Sequence, residues 1–289
     1  MMSIIGMVIV LGMVFGGYIA AGGKIGIILA ALPFELMMIG GAAVGAFLLA
    51  NPPDVLKAVG RDIKTVFSGP RWKPDDYRDL LVLLHALIKL GRRDAVALET
   101  HIEAPNDSPL FQTYPRILAD HHAVTMICDT LRLTGMSFDD PHQLEDLLQR
   151  QLDSHRKHAQ HSSHAIQTMA DGLPALGIVA AVLGIIKTMA SIDQPPEVLG
   201  KMIGGALVGT FLGVFLAYGF VGPMAARLKE TADEDHGFYV LIRDTLVANL
   251  HKHSTGVCVE IARQNIAGHG QPSFDSLDEA LKAPTSEAA

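Results

Sequence analysis

DGLPALGIVAAVLGIIKTMA (residues 171–190) and MIGGALVGTFLGVFLAYGFVGP (residues 202–223) are the two stretches that decide the fold. The apolar run at 173–190 carries one charge, Lys187, and the run at 202–222 carries none. Runs of about 18 to 21 residues let a helix cross roughly 30 Å of hydrocarbon. They predict two membrane spans, the third and fourth of the chain, joined as a hairpin.

Small residues recur at every fourth position of the second run. Gly205, Gly209, Gly213 and Ala217 share one helix face, on which another backbone can approach closely. This ladder favours an extended, tightly packed neighbouring helix. Ordinary packing within the same chain is the alternative.

Two further apolar runs precede a polar segment. Residues 4–21 are uncharged and lack a basic segment in front of them, so a retained span fits better than a cleaved signal peptide. Residues 28–50 form a second span, and Asn51, Pro52 and Pro53 stop its helix. The chain therefore contains four spans in two hairpins.

The segment between the hairpins mixes both signs of charge and shows helical periodicity at 77–90, 117–133 and 144–152. These patterns predict an all-α membrane protein with a helical cytoplasmic domain inserted between spans two and three. The predicted parts are a hairpin at 1–50, the inserted domain at 51–170, a hairpin at 171–223, and a C-terminal helix and tail at 224–289.

Basic residues set the predicted orientation. Those that follow spans two and four are Lys57, Arg61, Lys64, Arg71, Lys73, Arg227 and Lys229. The short loops hold only Lys24 and, at the edge of span four, Lys201. The insert and both termini are therefore predicted to be cytoplasmic.

Composition excludes several classes of protein. A hydrophobic content of 49% with 18% charged residues fits a membrane protein with a sizeable soluble part. The net charge of -7 argues against a nucleic-acid partner. Cys128 and Cys258 fall in predicted cytosolic segments, so no disulfide is expected. No Walker, Rossmann, triad or metal motif is present, and the chain is predicted not to be an enzyme.

Ionisable groups at mid-depth mark an ion path through lipid, because a bare charge there is costly. The sequence places Glu35 near the outer end of span two and leaves Thr210 as the polar residue well inside a span. Alone, the chain is therefore not expected to relay protons. Either it moves no ions, or another chain supplies the carboxylate.

Four motifs closely resemble the flagellar motor stator subunit MotA, within the MotA/TolQ/ExbB proton channel family. They are MVFGGYIAAGG (13–23), YPRILAD (114–120), DGLPALGIVAAVLGII (171–186) and VGTFLGVFLAYGFVGP (208–223). The resemblance implies an inner-membrane ring of five such chains around a pair of MotB-type single-span subunits, whose Asp accepts the ion. It implies torque on a FliG-type rotor protein, in swimming and chemotaxis.

The alternative within this resemblance is an ExbB- or TolQ-like energiser of outer-membrane transport. Those relatives have three spans, with one helix ahead of the soluble domain. The present sequence predicts two spans ahead of the insert, and it carries the Glu99 context of the rotor-facing helices. The stator interpretation is therefore preferred.

The resemblance also assigns roles inside the spans. Pro174 and Pro223 match the two prolines at the cytoplasmic ends of spans three and four, where they are implied to transmit motion. The alternative is that Pro174 lies in a first turn capped by Asp171 and that Pro223 ends its helix. Thr210 matches the threonine that faces the partner carboxylate, unless its hydroxyl bonds the carbonyl four residues earlier.

One residue, Ala181, indicates which ion drives the protein. In sodium-driven relatives the residue matching Ala181 is a threonine, whose oxygen helps to coordinate the cation. Alanine has no such oxygen, so protons are favoured over sodium, and no other cofactor is expected. Glu35 matches an acidic position that is implied to draw cations in, with an ordinary interfacial glutamate as the alternative.

In the inserted domain the family has an Arg and a Glu on the helix pair that meets the rotor. Glu99 matches the Glu. Gly91 stands at the position of the Arg, Asp94 stands where a glycine is usual, and the basic contact is expected from Arg92 or Arg93. A solvated surface is the alternative for any one of these charges.

Histidines recur at every third residue ahead of span three, at His155, His158, His161 and His164. One helix stripe of this kind could bind metal or respond to pH. No set of carboxylates completes a metal shell, so a polar helix near the interface is preferred and no metal site is predicted.

Overall fold

The computed structural model describes residues 2–136, 138, 140–266 and 270–282. Over these residues the chain is helical and has no strand, and four helices are long and apolar enough to span a membrane. This confirms the predicted all-helical fold with four apolar helices.

The helices are α1 (Met2–Ala20), α2 (Ile25–Glu35), α3 (Gly41–Ala50), α4 (Pro53–Asp62), α5 (Thr65–Ser68), α6 (Pro74–Arg93), α7 (Ala95–Glu103), α8 (Pro109–Gln112), α9 (Pro115–Leu118), α10 (His121–Gly135), α11 (Pro141–Ala159), α12 (His161–Met189), α13 (Pro196–Leu216), α14 (Gly222–Leu250), α15 (Thr255–Gln264) and α16 (Phe274–Lys282). Two π turns, Leu36–Gly40 and Ala217–Val221, join α2 to α3 and α13 to α14 without a break. Span two is thus a single rod over Ile25–Ala50.

Helix ends differ in how well the sequence predicts them. Span two stops at Ala50 as expected, because Asn51 and Pro52 are extended. Helix α12 begins at His161, ten residues ahead of the predicted hairpin at 171–223, and it places Pro174 in its interior. The chain also stays helical past Pro223, which is the second residue of α14. The alternatives that placed Pro174 in a first turn and Pro223 at a helix end are therefore wrong.

The chain divides into two compact units. One, here called the apolar unit, comprises the chain up to Gly69 together with Ala159–Ala232. The other, the polar unit, comprises Pro70–His158 and the chain from Asp233 on. The domain limits predicted from the sequence stay predictions. They were drawn from hydropathy, whereas the two compact units are defined by which residues pack together.

In the apolar unit α12 and α13 form an antiparallel pair, and α2 and α3 pack on it. The buried core of this unit combines alanines, namely Ala43, Ala180 and Ala217, with a few large side chains, namely Ile39, Leu173 and Leu212. Other large apolar side chains, such as Leu49 and Leu207, are exposed. A helix bundle with large apolar groups outside is suited to lipid or to further protein.

The polar unit has an ordinary large-residue core. Helix α6 runs through it and buries Leu80, Leu83 and Leu87 completely. Trp72 stacks on Phe238 of α14, with ring centroids 3.8 Å apart. Burial of this kind contributes about 1.5–3 kcal/mol for each large side chain, so large apolar side chains supply most of the packing in this unit.

The YPRILAD motif is explained by hydrogen bonds within the polar unit. Arg116 pairs with the buried Asp76 at 3.1 Å and also donates to the carbonyl of Arg71. Asp120 caps α10 through the amide of Ala123 and accepts from the Tyr239 hydroxyl at 3.1 Å. Arg71 completes the network with an ion pair to Asp120. The motif therefore fastens the segment ahead of α6 to α10 and α14.

Candidate functional site

The glycine ladder of α13 is occupied by α12 of the same chain. A Cβ atom at Gly213 would lie 2.6 Å from the carbonyl oxygen of Leu173 and 2.9 Å from the Cα atom of Gly177. A Cβ atom at Gly177 would lie 2.8 Å from the carbonyl oxygen of Gly209. Real Cβ atoms do not tolerate such distances, so the two backbones touch. The ladder serves packing within the chain, which was the alternative, at Gly209 and Gly213.

The opposite face of α13 is an exposed apolar stripe. Ile203, Leu207 and Val214 are 48%, 57% and 42% exposed, and they lie at helical spacing on one side. Thr210 falls between them and is partly exposed. It is the one hydroxyl on this stripe, which contains no charged group.

The hydroxyl of Thr210 makes no hydrogen bond to any residue that the structure describes. Other helical threonines donate to the carbonyl four residues earlier, as Thr188 does to Gly184 at 2.9 Å. The back-bonded arrangement considered for Thr210 is therefore not adopted. An unsatisfied hydroxyl in an apolar stripe is able to bond to a group outside the chain.

Ala181 lies behind this stripe, in the contact between α12 and α13. Its side chain is 6% exposed. Its backbone nitrogen is 3.2 Å from where a Cβ atom of Gly209 would lie. Ala181 and Thr210 are thus in adjacent turns of two touching helices, and the alanine supplies no side-chain oxygen.

Pro174 interrupts the hydrogen bonds of α12. A proline inside a helix cannot donate to the carbonyl four residues earlier, and its ring crowds that carbonyl. Asp171 does not cap the helix here, and it accepts instead from the side-chain amide of Gln167 at 2.8 Å. Pro174 is therefore a weak point within a continuous helix of 29 residues.

Pro223 follows the π turn Ala217–Val221. The amide of Gly222 donates to the carbonyl of Ala217, five residues earlier, so the hydrogen-bond register shifts just ahead of the proline. Turns of this kind accommodate a residue that cannot donate. Pro223 is exposed, and it also marks a weak point in a helix that continues.

Glu35 is the last residue of α2, directly ahead of the π turn in span two. It is the eleventh of the 26 residues of Ile25–Ala50 and is 5% exposed. Its Oε2 atom has no hydrogen-bond partner among the described residues and lies 2.6 Å from where a Cβ atom of Gly209 would be. Glu35 is thus buried against α13, and its predicted position near the outer end of span two stays a prediction.

Glu35 also lines a cavity of about 690 Å³ in the apolar unit. Its walls come from α2, α12 and α13, and most of them are apolar. Lys187 and Lys201 are the other charged residues that line it. The carboxyl group is thus inside the chain's own packing, away from the exposed stripe of α13.

In the polar unit the turn between α6 and α7 carries the other predicted residues. Asp94 caps α7, since its Oδ1 atom accepts from the amides of Val96 and Ala97 at 3.0 Å each. This explains an aspartate where a glycine is usual. Leu98 fills the space in front of Gly91, where a Cβ atom would lie 2.7 Å from its Cδ2 atom. A side chain at residue 91 would displace Leu98.

Arg92 and Arg93 differ in what holds them. Arg92 donates to the side chain of Asn249 at 3.1 Å and to the carbonyl of His253. Arg93 is exposed and pairs with no residue in the described ranges. Glu99, on α7, is also exposed and unpaired there. Of the residues predicted to meet the rotor, Arg93 and Glu99 are therefore the ones available to an outside partner.

The four periodic histidines do not form one stripe. Helix α11 ends at Ala159 and α12 begins at His161, which divides them between two helices. His155 stacks on His122 of α10 instead, a residue that the sequence did not single out, because the two are distant in the chain. In the part of the chain that is described, no group of three or more His, Cys, Asp or Glu residues is placed to hold a metal ion.

Comparison with known proteins covers nearly the whole chain. Residues 4–95 match the family of the motility protein A N-terminal region, and residues 122–237 match the MotA/TolQ/ExbB proton channel family. The match to a motility-specific N-terminal region, together with four apolar helices, does not favour the ExbB or TolQ alternative.

Motility protein A of Salmonella typhimurium is 37% identical over 284 residues, which are 98% of this chain and 96% of the relative. Motility protein A of Escherichia coli is 36% identical, with the same coverage of both chains. A chain of the flagellar MotAB stator complex from Bacillus subtilis superposes with a TM-score of 0.71 at 19% identity, over 95% of this chain and 99% of that one. On these similarities the chain belongs to the motility protein A family.

Proposed function

We propose that this chain is a stator subunit of the flagellar motor, which forms a proton channel with a MotB-type single-span partner and converts proton flow into torque on the rotor. Its family membership over nearly the full length supports this function. Membership in the proton channel family supports the coupling to ion flow. The fold shared with a chain of a stator complex is consistent with both.

The observation that carries the proposal is the exposed stripe of α13. It presents one unsatisfied hydroxyl, that of Thr210, on an apolar face without a carboxylate. A partner helix that placed a carboxyl group opposite Thr210 would complete a site that accepts a proton within the membrane. Ala181 adds no oxygen with which to coordinate a dehydrated cation, so the coupling ion is a proton rather than sodium.

Large exposed apolar residues on α12 and α13 support assembly with further chains. Ile178 and Val182 of α12 are 56% and 49% exposed, so neither side chain belongs to the buried core of the apolar unit. A homo-pentameric ring around two partner helices would cover such faces. The ring resides in the bacterial inner membrane, with both termini and the polar unit in the cytoplasm, as the basic residues after spans two and four indicate.

Energy enters when a proton crosses the membrane potential, which supplies about 2.3 kcal/mol per 100 mV. Pro174 and Pro223 are the points at which α12 and the α13–α14 rod yield most easily, because each lacks a backbone donor. Motion of the ring against its partner bends the two helices there. Arg93 and Glu99, which are exposed and pair with no described residue, contact a FliG-type rotor protein through complementary charge.

The test is proton flux into vesicles that contain this chain with and without its partner subunit. Flux is expected only with the partner, since the stripe of α13 lacks a carboxyl group. The variant Glu35→Gln, tested in the complex, separates the buried carboxyl of this chain from that of the partner. Flux is expected to survive this change in part, because Glu35 lies behind α13.

Two results would overturn the proposal. Equal flux with and without the partner would show that the chain conducts alone. The second result has two parts: flux is lost completely in Glu35→Gln, and flux is unchanged when the partner's carboxyl group is removed. That result would show that the proton site lies in this chain. The matching test of torque is swimming. A strain that lacks this gene should not swim, and the wild-type copy should restore swimming.

A further inference from the structure

Three helices of the polar unit meet at a group of aromatic rings that the proposed function does not use. His122 of α10 and His155 of α11 stack with ring centroids 4.0 Å apart and planes within 7°. The ring of Tyr239, on α14, meets both edge-on at 4.9 and 4.7 Å. His236, one turn earlier on α14, is close enough to His155 for their charges to repel.

Among the described residues, no hydrogen bond explains the position of these histidines. The Nε2 atom of His122, the Nδ1 atom of His155 and the Nδ1 atom of His236 are buried and have no partner in the described ranges. Parallel stacked rings direct their nitrogen lone pairs along parallel planes, so His122 and His155 cannot converge on one metal ion. The contact is therefore a packing contact between neutral rings.

Titratable groups from all three helices act on these histidines. Those that act on the two stacked rings are Asp120, at the start of α10, together with His121, His158 and His236. Those that act on His236 are Asp153 and Arg156 from α11, and Asp233 and Arg243 from α14. Asp120 alone favours a proton on both stacked rings, but it is already paired with Arg71 and Tyr239.

Burial is the largest influence on each ring, and it disfavours the charged form. It lowers the pKa of His122 and of His236, and with the repulsion from His122 and His236 it lowers the pKa of His155 to about 4. An imidazole exposed to water titrates near 6.5. Between these values an exposed ring binds a proton and a packed ring does not.

We propose that the stack of His122 on His155 is an acid-sensitive contact, which holds α11 against α10 and α14 while both rings are neutral and opens when either becomes charged. A charged ring must leave the buried contact for water, and α11 is the helix that carries His155 away. Nothing in this inference depends on the proposed function. If the polar unit bears torque, acidification of the cytoplasm would lower that torque.

The test is hydrogen exchange of the full-length chain, in the complex with its partner subunit, at pH 7.5 and 5.5. After correction for intrinsic exchange, the opening equilibrium of α11 is expected to rise about tenfold at the lower pH, given a ring that titrates at about 4 when packed and at 6.5 when exposed. The double variant His122→Phe/His155→Phe keeps a ring stack and cannot titrate, so its protection should be independent of pH. His121→Gln, next to the stack, is the matched control and should behave like the wild type.

An equal acid-induced rise in the double variant would overturn the proposal, as would unchanged protection of α11 in the wild type. The phenylalanine variant could fail to accumulate. In that case, the titration of histidines labelled with carbon-13 in the wild-type chain decides the matter. Both rings of the stack should stay neutral at pH 6, and a ring that titrates near 6.5 while α11 remains protected would refute the inference.

Discussion

The packing inside the apolar unit differs in kind from the packing inside the polar unit. In the apolar unit the closest contact is backbone on backbone, where Gly177 meets Gly209 and Gly213. In the polar unit the core is built from large side chains, among them Trp72 and Phe238. Lipid is as apolar as leucine, so burial of apolar side chains does not drive helices together in a membrane, and close packing of the helices must do so. In water, burial of large apolar side chains is enough to drive helices together.

This difference determines where functional residues can lie. Thr210 is next to a glycine of the packing contact, so the proposed ion site and the framework share the same turns of helix. Arg93 and Glu99 lie on the surface, outside the core that holds their helices. Substitutions at the glycines of the packing contact should therefore disturb fold and function together, whereas substitutions of unpaired surface charges in the polar unit should disturb function alone.

The strongest test of this contrast is Gly213→Val. A side chain there would overlap the carbonyl oxygen of Leu173 and the backbone of Gly177, so α12 and α13 must separate. Overpacking of this kind costs about 1–3 kcal/mol or more, and a marked loss of folded protein is expected. Gly200→Val on the same helix, where a Cβ atom meets nothing, is the matched control. Thermal unfolding of the purified complex measures both, and equal stability would disprove the backbone contact.

The sequence predicted features that depend on the local chain. Span two ends where two prolines follow Asn51, and four apolar runs gave four apolar helices. It did not predict how α13 uses its glycines, because the choice between a neighbour in the same chain and one in another depends on packing. The start of α12 was missed for a related reason, since the residues at 161–170 mix polar and apolar side chains and still continue the helix.

The weak points at the prolines give the next largest expected effect. A proline inside a helix costs about 3 kcal/mol relative to alanine. Pro174→Ala and Pro223→Ala should therefore leave the apolar unit as stable as before, or more stable, and lower torque because the helices bend less. Pro196→Ala, at the first residue of α13 where proline is tolerated, is the control. Bead rotation and protein abundance are measured together. Full torque with reduced abundance would show that the prolines only shape the helices.

A smaller effect is expected at the hydroxyl of Thr210. A hydrogen bond to a charged group contributes about 1.5–3 kcal/mol, so Thr210→Val should lower proton flux through the complex by about tenfold or more. Thr210→Ser should retain most of the flux. Thr188→Val is the control, because the hydroxyl of Thr188 is already hydrogen-bonded within α12. It tests whether the loss of a hydroxyl elsewhere in the spans also lowers proton flux. Equal losses at both threonines would contradict a specific role for Thr210.

The candidate sites were predicted unevenly for the same reason as the fold. The sequence left Arg92 and Arg93 as equal candidates, and only the position of Asn249, distant in the chain, separates them. The burial of Glu35 against α13 depends on packing between helices that are distant in the chain, which hydropathy does not show. The contact between His122 and His155 joins two helices that no local pattern connects.

The smallest effect on stability, and the sharpest test of the polar unit, is expected from its free charges. Glu99 is exposed and pairs with no described residue, so Glu99→Lys should change the free energy of unfolding by less than about 0.5 kcal/mol. Arg93→Glu should do the same. Arg92→Glu should cost more, because it removes the hydrogen bonds to Asn249 and to the carbonyl of His253.

If these charges meet the rotor, Glu99→Lys and Arg93→Glu lower swimming speed while membrane insertion and unfolding stay those of the wild type. The loss should be greatest at high load, where the contact transmits most force, and a reversed charge on the rotor should restore part of it. Arg92→Glu would then be the variant in which lost motility and lost stability appear together. Normal swimming of Glu99→Lys at every load, with rotor and stator otherwise intact, would show that this surface is merely solvated, and the contrast between the two units would then rest on the helices of the apolar unit alone.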